Sequence, residues 1–493
     1  MINKFQKLIT IFILMVFFSG IVSCDDDLYI EPESETTTDY FYSNAEEVGF
    51  AVIAIYNSLH NIMNVEWMVT ELRSDNTYMN VDSSSSSDIP LRTLDRFEVI
   101  STNEHVEEYY RSSYSLIALA NRVLANLEVV NDENLRNQYE GEARFLRAHA
   151  YFNLVRLFGA VPIVDKIITG EEGLDLDRAP EEDVFLFIEE DLRQASTLLP
   201  EGYNSGNLGR ITQWGAKGLL GKVYLTQQKN QDAIAILQDV VDNSPHRLLS
   251  NYADVFDIAN EYNAEVLFAV RYQTGSLGLG APFANYFAPV QSDNFVVTGG
   301  GDARNVPTET MSSSYETGDE RKEPSMADSW IGSGGVENFR KYITKYNSPF
   351  SAVDDAGNDW PVLRFADILL MLAEAHSELG DIPKALEYLN EVRERAGLNP
   401  YLLSEVSSSF NFKLALEEER RVEFAFENQR WFDLLRTGRA LTVMNVHFNT
   451  EFQYNNPDDP ESPMNPIERW QLLLPIPQYE IDLNPNIAQN IGY

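Results

Sequence analysis

The chain has 493 residues, of which 44% are hydrophobic and 12% aromatic, so it is long and apolar enough to bury a substantial core. Its 37 basic residues against 76 acidic ones give a formal charge of −39, which disfavours binding to nucleic acid or to anionic lipid headgroups. The single cysteine excludes an internal disulfide, and the six histidines are too widely spaced for a His/Cys zinc site.

The N-terminus has the layout of a secretory signal. Lys4 and Lys7 precede a largely apolar run over 8–22, which ends just before Cys24. As a helix this run rises only about 22 Å, short of the ~30 Å hydrocarbon core of a bilayer. Residues 21–24 resemble a bacterial lipobox, which predicts that Cys24 is lipidated and begins the mature chain. The alternative is a soluble secreted protein in which this cysteine is incidental.

An acidic tether is predicted over residues 24–39. Asp25, Asp26 and Asp27 follow the cysteine directly and resemble the surface-export signal of lipoproteins in Bacteroidota; the alternative is a solvated tether without that role. Loss of residues 1–23 removes two lysines and leaves a formal charge of 35 − 76 = −41. Acyl chains must then anchor the protein without electrostatic help.

Most of the remaining chain is predicted to be helical. Apolar residues recur at helical spacing over 45–63, and further helices are expected over 106–127 and 140–158, the last stopped by Gly159 and Pro162.

Two later segments share one hairpin pattern. Small residues and leucines at 216–223 and 366–373 each precede an alanine beyond a turn, Ala233 and Ala385. Small residues let paired helices approach while leucines fill the groove, as in tetratricopeptide repeats. With the helices of 106–158 and a pair over 411–444, we predict a mostly α fold with a tetratricopeptide-like scaffold of about four helix pairs. An irregular helical domain is the alternative.

A loop-rich segment interrupts this pattern at 271–360. It holds 11 of the 27 glycines and twelve aromatic residues, so it is predicted to be a functional subdomain inserted between repeats. The expected organisation is an N-terminal helical region at 40–270, this ligand-binding subdomain, and a C-terminal helical region at 361–493. A second irregular stretch, 66–96, includes a serine run.

Catalytic motifs are not found in the sequence. A Gly-x-Ser-x-Gly elbow, a phosphate loop and His-Glu-x-x-His are all missing. Glu423 and Glu427 could form the carboxyl pair of a glycosidase, but Arg420 and Arg430 flank them, which predicts a structural ion-pair network instead. The acidic residues of 354–359 suggest a calcium loop but lack its alternating ligand spacing, so they are interpreted as a solvated turn. No catalytic residue, cofactor or metal is predicted.

Aromatic side chains are the candidate ligand contacts. A flat ring complements the C–H face of a pyranose, while carboxylates and amides bond to its hydroxyls. Trp214, Trp431 and Trp470 are interpreted as core residues, whereas Trp67, Trp330 and Trp360 are expected in loops. Packing beneath the loops is the alternative role for these loop aromatics. The predicted ligand-binding residues are Trp67, Asp75, Asn76, Tyr78, Tyr286 and Trp330.

Several stretches, taken together, resemble the SusD/RagB family of outer-membrane nutrient-binding lipoproteins, in order along the mature chain. One departure is Ile491, where the family usually has proline before the final Gly-Tyr. The matching stretches are 28–32 and 38–41, 143–162, 361–397, 419–438, 474–477 and 489–493.

The resemblance implies a lipid-anchored protein on the outer membrane, facing the cell exterior. It would act as a lid on a SusC-like TonB-dependent transporter, capturing oligosaccharide and delivering it. The family fold also brings the N-terminal and central loops together, so we expect Trp67 and Trp330 to share one exposed platform with Tyr286 and Asp75. Three alternatives remain at this point: capture of peptide or another non-glycan nutrient, an anchored glycoside hydrolase, and a purely structural repeat adaptor.

Overall fold

Helices account for most of the residues that the computed structural model describes, which are 42–79, 88–452 and 466–493. Cys24, the acidic tether and the serine run lie outside these residues. The helices are α1 (Ala45–Val69), α2 (Ile89–Asp95), α3 (Glu104–Ala125), α4 (Glu133–Phe158), α5 (Gly170–Gly173), α6 (Glu181–Leu198), α7 (Gln213–Thr226), α8 (Asn230–Asn243), α9 (Phe283–Phe287), α10 (Glu309–Ser314), α11 (Lys322–Ser325), α12 (Phe365–Glu378), α13 (Ile382–Arg395), α14 (Ser409–Glu423), α15 (Arg430–Arg436), α16 (Ala440–His447) and α17 (Gln478–Leu483).

Local sequence explains where the long helices begin and end. Asn44 caps α1, because its side-chain oxygen accepts the backbone N–H groups of Glu46 and Glu47. The predicted stop of α4 at Gly159 is confirmed, since this residue takes φ +72°, a conformation that glycine adopts without strain. By length and composition alone α1 could cross a membrane, but it packs against α3 and α4 and half of its most apolar window is buried.

The long helices pack in pairs, so the predicted mostly α, tetratricopeptide-like fold is confirmed. α1 packs on α3, α4 on α6, α7 on α8 and α12 on α13, while α6 meets α7 and α8 meets α12 between pairs. The predicted pair over 411–444 is wrong in detail, because that range contains the three helices α14, α15 and α16. The helices predicted over 106–158 are α3 and α4. They contact each other, but α3 also packs on α1 and α4 on α6.

Glycine permits the close approach within the α7–α8 pair. A Cβ atom at Gly221 would lie only 2.3 Å from a methyl carbon of Leu237 in α8. A Cβ at Gly218 would similarly lie 2.7 Å from Leu363. Any larger residue would push the helices apart, which is the physical basis of the small-residue pattern seen in the sequence.

Within the described residues, eight short strands form four two-stranded antiparallel sheets: β1 with β3, β2 with β8, β4 with β7 and β5 with β6. The β2–β8 pair joins the two ends of the loop-rich segment, with Val270 opposite Trp360. The segment thus leaves and re-enters the helical scaffold at one place. The strands are β1 (Thr77–Tyr78), β2 (Val266–Val270), β3 (Val306–Pro307), β4 (Met326–Ala327), β5 (Trp330–Ile331), β6 (Glu337–Asn338), β7 (Tyr342–Ile343) and β8 (Trp360–Arg364).

A buried ion-pair network fastens the segment to the C-terminal helices. Arg364, at the end of β8, has almost no solvent exposure. Its guanidinium donates to the carboxylates of Glu265, Glu423 and Glu427 at 2.7 to 3.0 Å. From within the segment, Lys345 donates to Glu427 at 2.9 Å.

The predicted structural role of Glu423 and Glu427 is confirmed, but the predicted partners are wrong. Glu423 pairs with arginines far away in the sequence: Arg321, Arg364 and Arg395. Burial raises the pKa of Glu423, but these three guanidinium groups outweigh it and hold the pKa below its usual range.

Arg420 and Arg430 form ion pairs with carboxylates other than Glu423 and Glu427. Arg420 lies 2.8 Å from Asp433 and 2.9 Å from Asp367, and Arg430 binds Asp75 through two nitrogens at 2.7 and 2.9 Å. Bidentate arginine pairs of this kind are the strongest of the charge-assisted hydrogen bonds. Arg420 therefore joins α14 to α12 and α15, and Arg430 joins α15 to the N-terminal segment at Asp75.

Replacing Glu423 with glutamine is expected to lower the free energy of unfolding by about 3–5 kcal/mol, because it leaves three arginines facing an uncharged group in a buried site. Glu418→Gln, on the exposed face of the same helix, is the matched control and should change stability by less than about 0.5 kcal/mol. Chemical denaturation monitored by circular dichroism measures both variants. Equal stability of the two variants would contradict the network as a source of fold stability.

Candidate ligand face

The two irregular segments of the chain meet through the β1–β3 pair. Tyr78 lies opposite Val306 in this ladder. Thr308 extends the contact, since its N–H donates to the Asn76 carbonyl and its hydroxyl to the Asp75 carbonyl, both at 2.9 Å. The expectation that the N-terminal and central loops lie together is therefore confirmed.

The expectation of an exposed platform is wrong for Trp67, Trp330 and Asp75, which are all buried. Trp67 belongs to the last turns of α1, has no exposed surface, and packs edge-on against Phe287 at 5.3 Å between ring centroids. Asp75 is buried in its ion pair with Arg430, and Arg421 also lies 3.2 Å away.

The buried charges around Asp75 fix its ionisation. Burial raises the pKa of Asp75, but Arg421 and Arg430 outweigh it and hold that pKa well below its usual range. Asn76 is also buried, where its amide donates to Glu71 and accepts from Arg421. These residues support the β1–β3 junction from beneath.

Two of the predicted site residues, Tyr78 and Tyr286, are partly exposed. Tyr286 lies on α9, in the central segment. Its ring lies 6.2 Å from that of Trp67, which supports it from below. The guanidinium carbon of Arg304 lies 5.0 Å from the centre of the Tyr286 ring, within the range of a cation–π contact. Burial raises the pKa of the Tyr286 hydroxyl, and the nearby charges of Asp354 and Asp302 raise it further. We refer to Tyr286, Asp302, Arg304 and Asp354 as the Tyr286 face.

Asn285 holds the loops of the Tyr286 face in place. Its side-chain amide donates to the carbonyls of Thr298 and Gly300 at 2.9 and 2.7 Å, and its side-chain oxygen accepts the N–H of Asp354 at 2.9 Å. Its backbone carbonyl accepts the N–H of Asp302. One buried amide thus joins both loops that carry the carboxylates.

The same loops carry backbone strain. Gln291, Asp293, Ala303 and Asp354 all have positive φ, between 46° and 61°. Such conformations are unfavourable for residues with a Cβ and persist where the surrounding structure enforces them, commonly at ligand sites. Burial and the charge of Asp302 also raise the pKa of Asp354, as expected for carboxylates that converge on one surface.

Trp330 lies apart from Trp67, in the hairpin of β5 and β6. Only 8% of its surface is exposed, and it makes an edge contact with Tyr342 at 6.3 Å. The exposed large apolar side chains in and next to this hairpin are Ile331, Val336 and Phe339. Tyr342 belongs to β7, and β7 contacts both β3 and α9, the helix that carries Tyr286. The hairpin is therefore linked through β7 to the Tyr286 face. A ligand role for Trp330 stays a prediction.

Sequence reasoning missed Asp302, Arg304 and Asp354 as members of the face. The one feature that they share in the sequence is a position in a glycine-rich loop. This is a weak indication of function, because most polar residues in such loops only contact solvent. The predictions for the tryptophans are confirmed for some residues and wrong for others. Trp214 and Trp431 are buried core residues as predicted, whereas Trp360, expected in a loop, is buried in β8 and stacks on Tyr346 at 4.5 Å.

The interpretation of 354–359 as a solvated turn is wrong for Asp355 and Asn358, which are buried. Asp355 joins the turn to the loop at 274–276. Its carboxylate accepts the N–H groups of Gly275 and Ser276 at 2.8 and 2.9 Å, together with the Thr274 hydroxyl. Among the described residues, no group of three His, Cys, Asp or Glu side chains is placed to hold a metal ion.

The stacked helix pairs and the loop-borne face define a mostly helical, tetratricopeptide-like scaffold. Comparison with known proteins agrees with this class. One family model, described as "SusD family", matches residues 282–493, and a second, described as "Starch-binding associating with outer membrane", matches residues 30–225. The chain belongs to the SusD family, as its sequence motifs predicted.

Relatives match over nearly the whole chain. The SusD-like protein P25 of Formosa agariphila is 26% identical over an alignment of 539 positions, which covers 99% of this chain and 100% of that protein. A SusD-like protein of Bacteroides ovatus is 27% identical over 91% of this chain and 85% of its own length.

Solved structures show the same fold. A structure titled "Laminarin binding SusD-like protein" is 26% identical, has a TM-score of 0.77, and covers 92% of this chain and 100% of its own. A SusD homologue from Bacteroides thetaiotaomicron reaches a TM-score of 0.78 at 23% identity, covering 94% of this chain and 100% of its own. The second likeness concerns the fold alone.

Proposed function

We propose that this protein is a cell-surface lipoprotein that captures neutral oligosaccharide on the Tyr286 face and passes it to a SusC-like TonB-dependent transporter. The observation that carries the proposal is the Tyr286 face itself, where an aromatic ring, a guanidinium and two carboxylates converge on loops held by one buried amide. Membership of the SusD family and similarity to a laminarin-binding protein support it.

The chemistry of the face suits a sugar. The part-exposed ring of Tyr286 offers a flat apolar surface for the C–H face of a pyranose. Arg304 donates hydrogen bonds, while Asp302 and Asp354 accept them from hydroxyl groups. Because the carboxylates outnumber the one guanidinium, an anionic ligand would be repelled, so a neutral glycan fits better than an acidic one.

Catalysis is not part of the proposal. Glu423 and Glu427, the carboxyl pair that the sequence made most suggestive, are buried and held by Arg364. A general acid needs a raised pKa and access to the substrate, whereas the pKa of Glu423 is held low. The SusD family consists of binding proteins, which agrees with capture without hydrolysis.

The double substitution of Tyr286 and Arg304 by alanine is expected to weaken oligosaccharide binding by thirtyfold or more, because a buried stacking contact commonly contributes about 2 kcal/mol. A glycan array first identifies the ligand, with laminarihexaose as the initial probe, and isothermal titration calorimetry then compares the variant with the parent protein.

Phe410→Ala is the control for that experiment. This aromatic residue is 68% exposed but lies on α14, so its removal should leave affinity unchanged. Undiminished binding by the double variant would place the site elsewhere. Binding of peptides with no response to any glycan would replace glycan capture with peptide capture.

The lipid anchor is tested at Cys24. Cys24→Ala should prevent acylation and release the protein from the membrane fraction or leave it as uncleaved precursor, since no other residue can carry the lipid of the lipobox. Fractionation with metabolic labelling by a fatty-acid analogue measures this. Acylation and membrane attachment that persist in the variant would contradict the anchor.

A further inference from the structure

A cavity of about 260 Å³ lies on the other side of the aromatic core from the Tyr286 face. Loops over 201–212 and 245–263 form its walls together with β2 and β8. Its lining includes Gly209, Arg210, Glu261, Tyr262, Arg271 and Asp359. We refer to it as the Tyr262 cavity.

Tyr262 is held in a strained conformation at this cavity. Its φ is +60° and half of its surface is exposed. A bulky aromatic residue at positive φ is an outlier that persists only where the surroundings enforce it, and such residues concentrate at ligand sites. The guanidinium carbon of Arg271 lies 3.7 Å from the ring centre, so one ring face is covered and the orientation of Tyr262 is fixed.

Gly209 makes room for this arrangement. Its φ is +88°, and a Cβ there would lie 3.2 Å from the Tyr262 ring and 3.3 Å from the Arg271 side chain. The aromatic ring, the guanidinium and the glycine backbone thus form one packed wall. The free space of the cavity lies beside that wall.

Both arginines that line the cavity are paired with carboxylates. Arg271 lies 2.7 Å from Glu261 through Nη2 and 2.7 Å from Asp359 through Nε. Burial raises the pKa of Asp359 to about 7 against the opposing charge of Arg271, with a further increase from Glu261. At the same wall, Arg210 is paired with Glu142 at 2.8 Å. The site therefore offers hydrogen-bond donors and acceptors. Its lining carries more acidic than basic side chains, with Glu201, Asp257, Glu261 and Asp359 against Arg210 and Arg271, so it suits a hydroxylated neutral ligand better than an anionic one.

Packed rings separate this cavity from the Tyr286 face. His60 contacts the carbonyl of Arg271 at 2.6 Å and stacks on Tyr272 at 4.4 Å. Tyr272 in turn makes an edge contact with Phe283 at 5.6 Å, and Phe283 belongs to α9, the helix that carries Tyr286. The cavity is therefore a second site and not an extension of the first.

We propose that the Tyr262 cavity binds a single pyranose ring of a neutral saccharide, with the ring beside Tyr262 and its hydroxyls bonded to Asp359, Glu261 and Arg271. The inference rests on the proposed function for the class of ligand. It adds a separate site whose volume, below the roughly 300 to 1,000 Å³ of drug-sized pockets, limits the ligand to a short end of a glycan.

The experiment uses saturation-transfer NMR with glucose, galactose, mannose and xylose as separate probes. The protein is the full mature chain carrying Tyr286→Ala and Arg304→Ala, so that the Tyr286 face is disabled. At least one sugar should still give a transfer signal. Adding Tyr262→Gly should reduce that signal at least tenfold, whereas adding Tyr262→Phe should keep it because the aromatic plane remains.

Melting temperatures separate a binding role from a structural one. Tyr262→Gly should melt no lower than its parent, since glycine removes the strain at positive φ. Gln228→Gly, which relieves φ +60° at an exposed turn outside the cavity, is the matched control and should keep the signal. A large fall in melting temperature with Tyr262→Gly would make Tyr262 a packing residue and overturn the proposal.

Two results would contradict sugar binding in the Tyr262 cavity while leaving the proposed function intact. One is that no sugar gives a signal in the disabled variant although the parent protein binds oligosaccharide. The other is a signal that survives Tyr262→Gly. Failure of the parent protein to bind any glycan on the array would instead overturn the proposed function.

Discussion

The structure depends on charged groups that are removed from water and satisfied by one another. These buried charged groups surround the turn at 424–429 between α14 and α15, where Phe426 and Asn428 have positive φ. Lys345 donates to the carbonyl of Ala425 and the Tyr346 hydroxyl to that of Phe426. The N–H of Asn428 donates to Glu71, whose pKa burial raises to about 7. Residues from the N-terminal, central and C-terminal parts of the chain therefore meet on one strained turn.

Such a network selects one arrangement of the segments. Removing one partner from a buried pair leaves a desolvated charge without compensation, so each partial arrangement is much less stable than the complete one. The network lies directly under the β1–β3 junction through Asp75 and Arg430, and it holds the base of the loop-rich segment through Arg364. Loops that carry Tyr286 and Arg304 can then tolerate backbone strain, because their supports are fixed.

The scaffold was predictable from the sequence, whereas the ligand face was predictable only in part. Helical periodicity and small-residue spacing identified the hairpins, because these signals are local: Ala216 and Ala233 are 17 positions apart, and Ala366 and Ala385 are 19. Ion-pair partners were not predictable in this way. Glu423 was assigned neighbours at helical spacing, yet its arginines lie 28, 59 and 102 positions away in the sequence.

Trp67 shows why an exposed platform was expected wrongly. The apolar pattern of α1 continues to Val69, so this tryptophan is a helical core residue and not part of the loop that follows. Tyr286 was correctly placed in the central segment, but its neighbours Arg304 and Asp354 come from other loops. Their convergence depends on Asn285, whose hydrogen bonds no local pattern reveals.

Native-state hydrogen exchange tests most directly whether the buried charges unite the three parts of the chain. Along a denaturant series, the amides of β1, β3 and β8 and of the 424–429 turn should exchange only through one common opening, with the same free energy and the same denaturant dependence. Opening of β1 and β3 at a much lower free energy than the turn would contradict the account, because the ligand loops would then be held independently of the network.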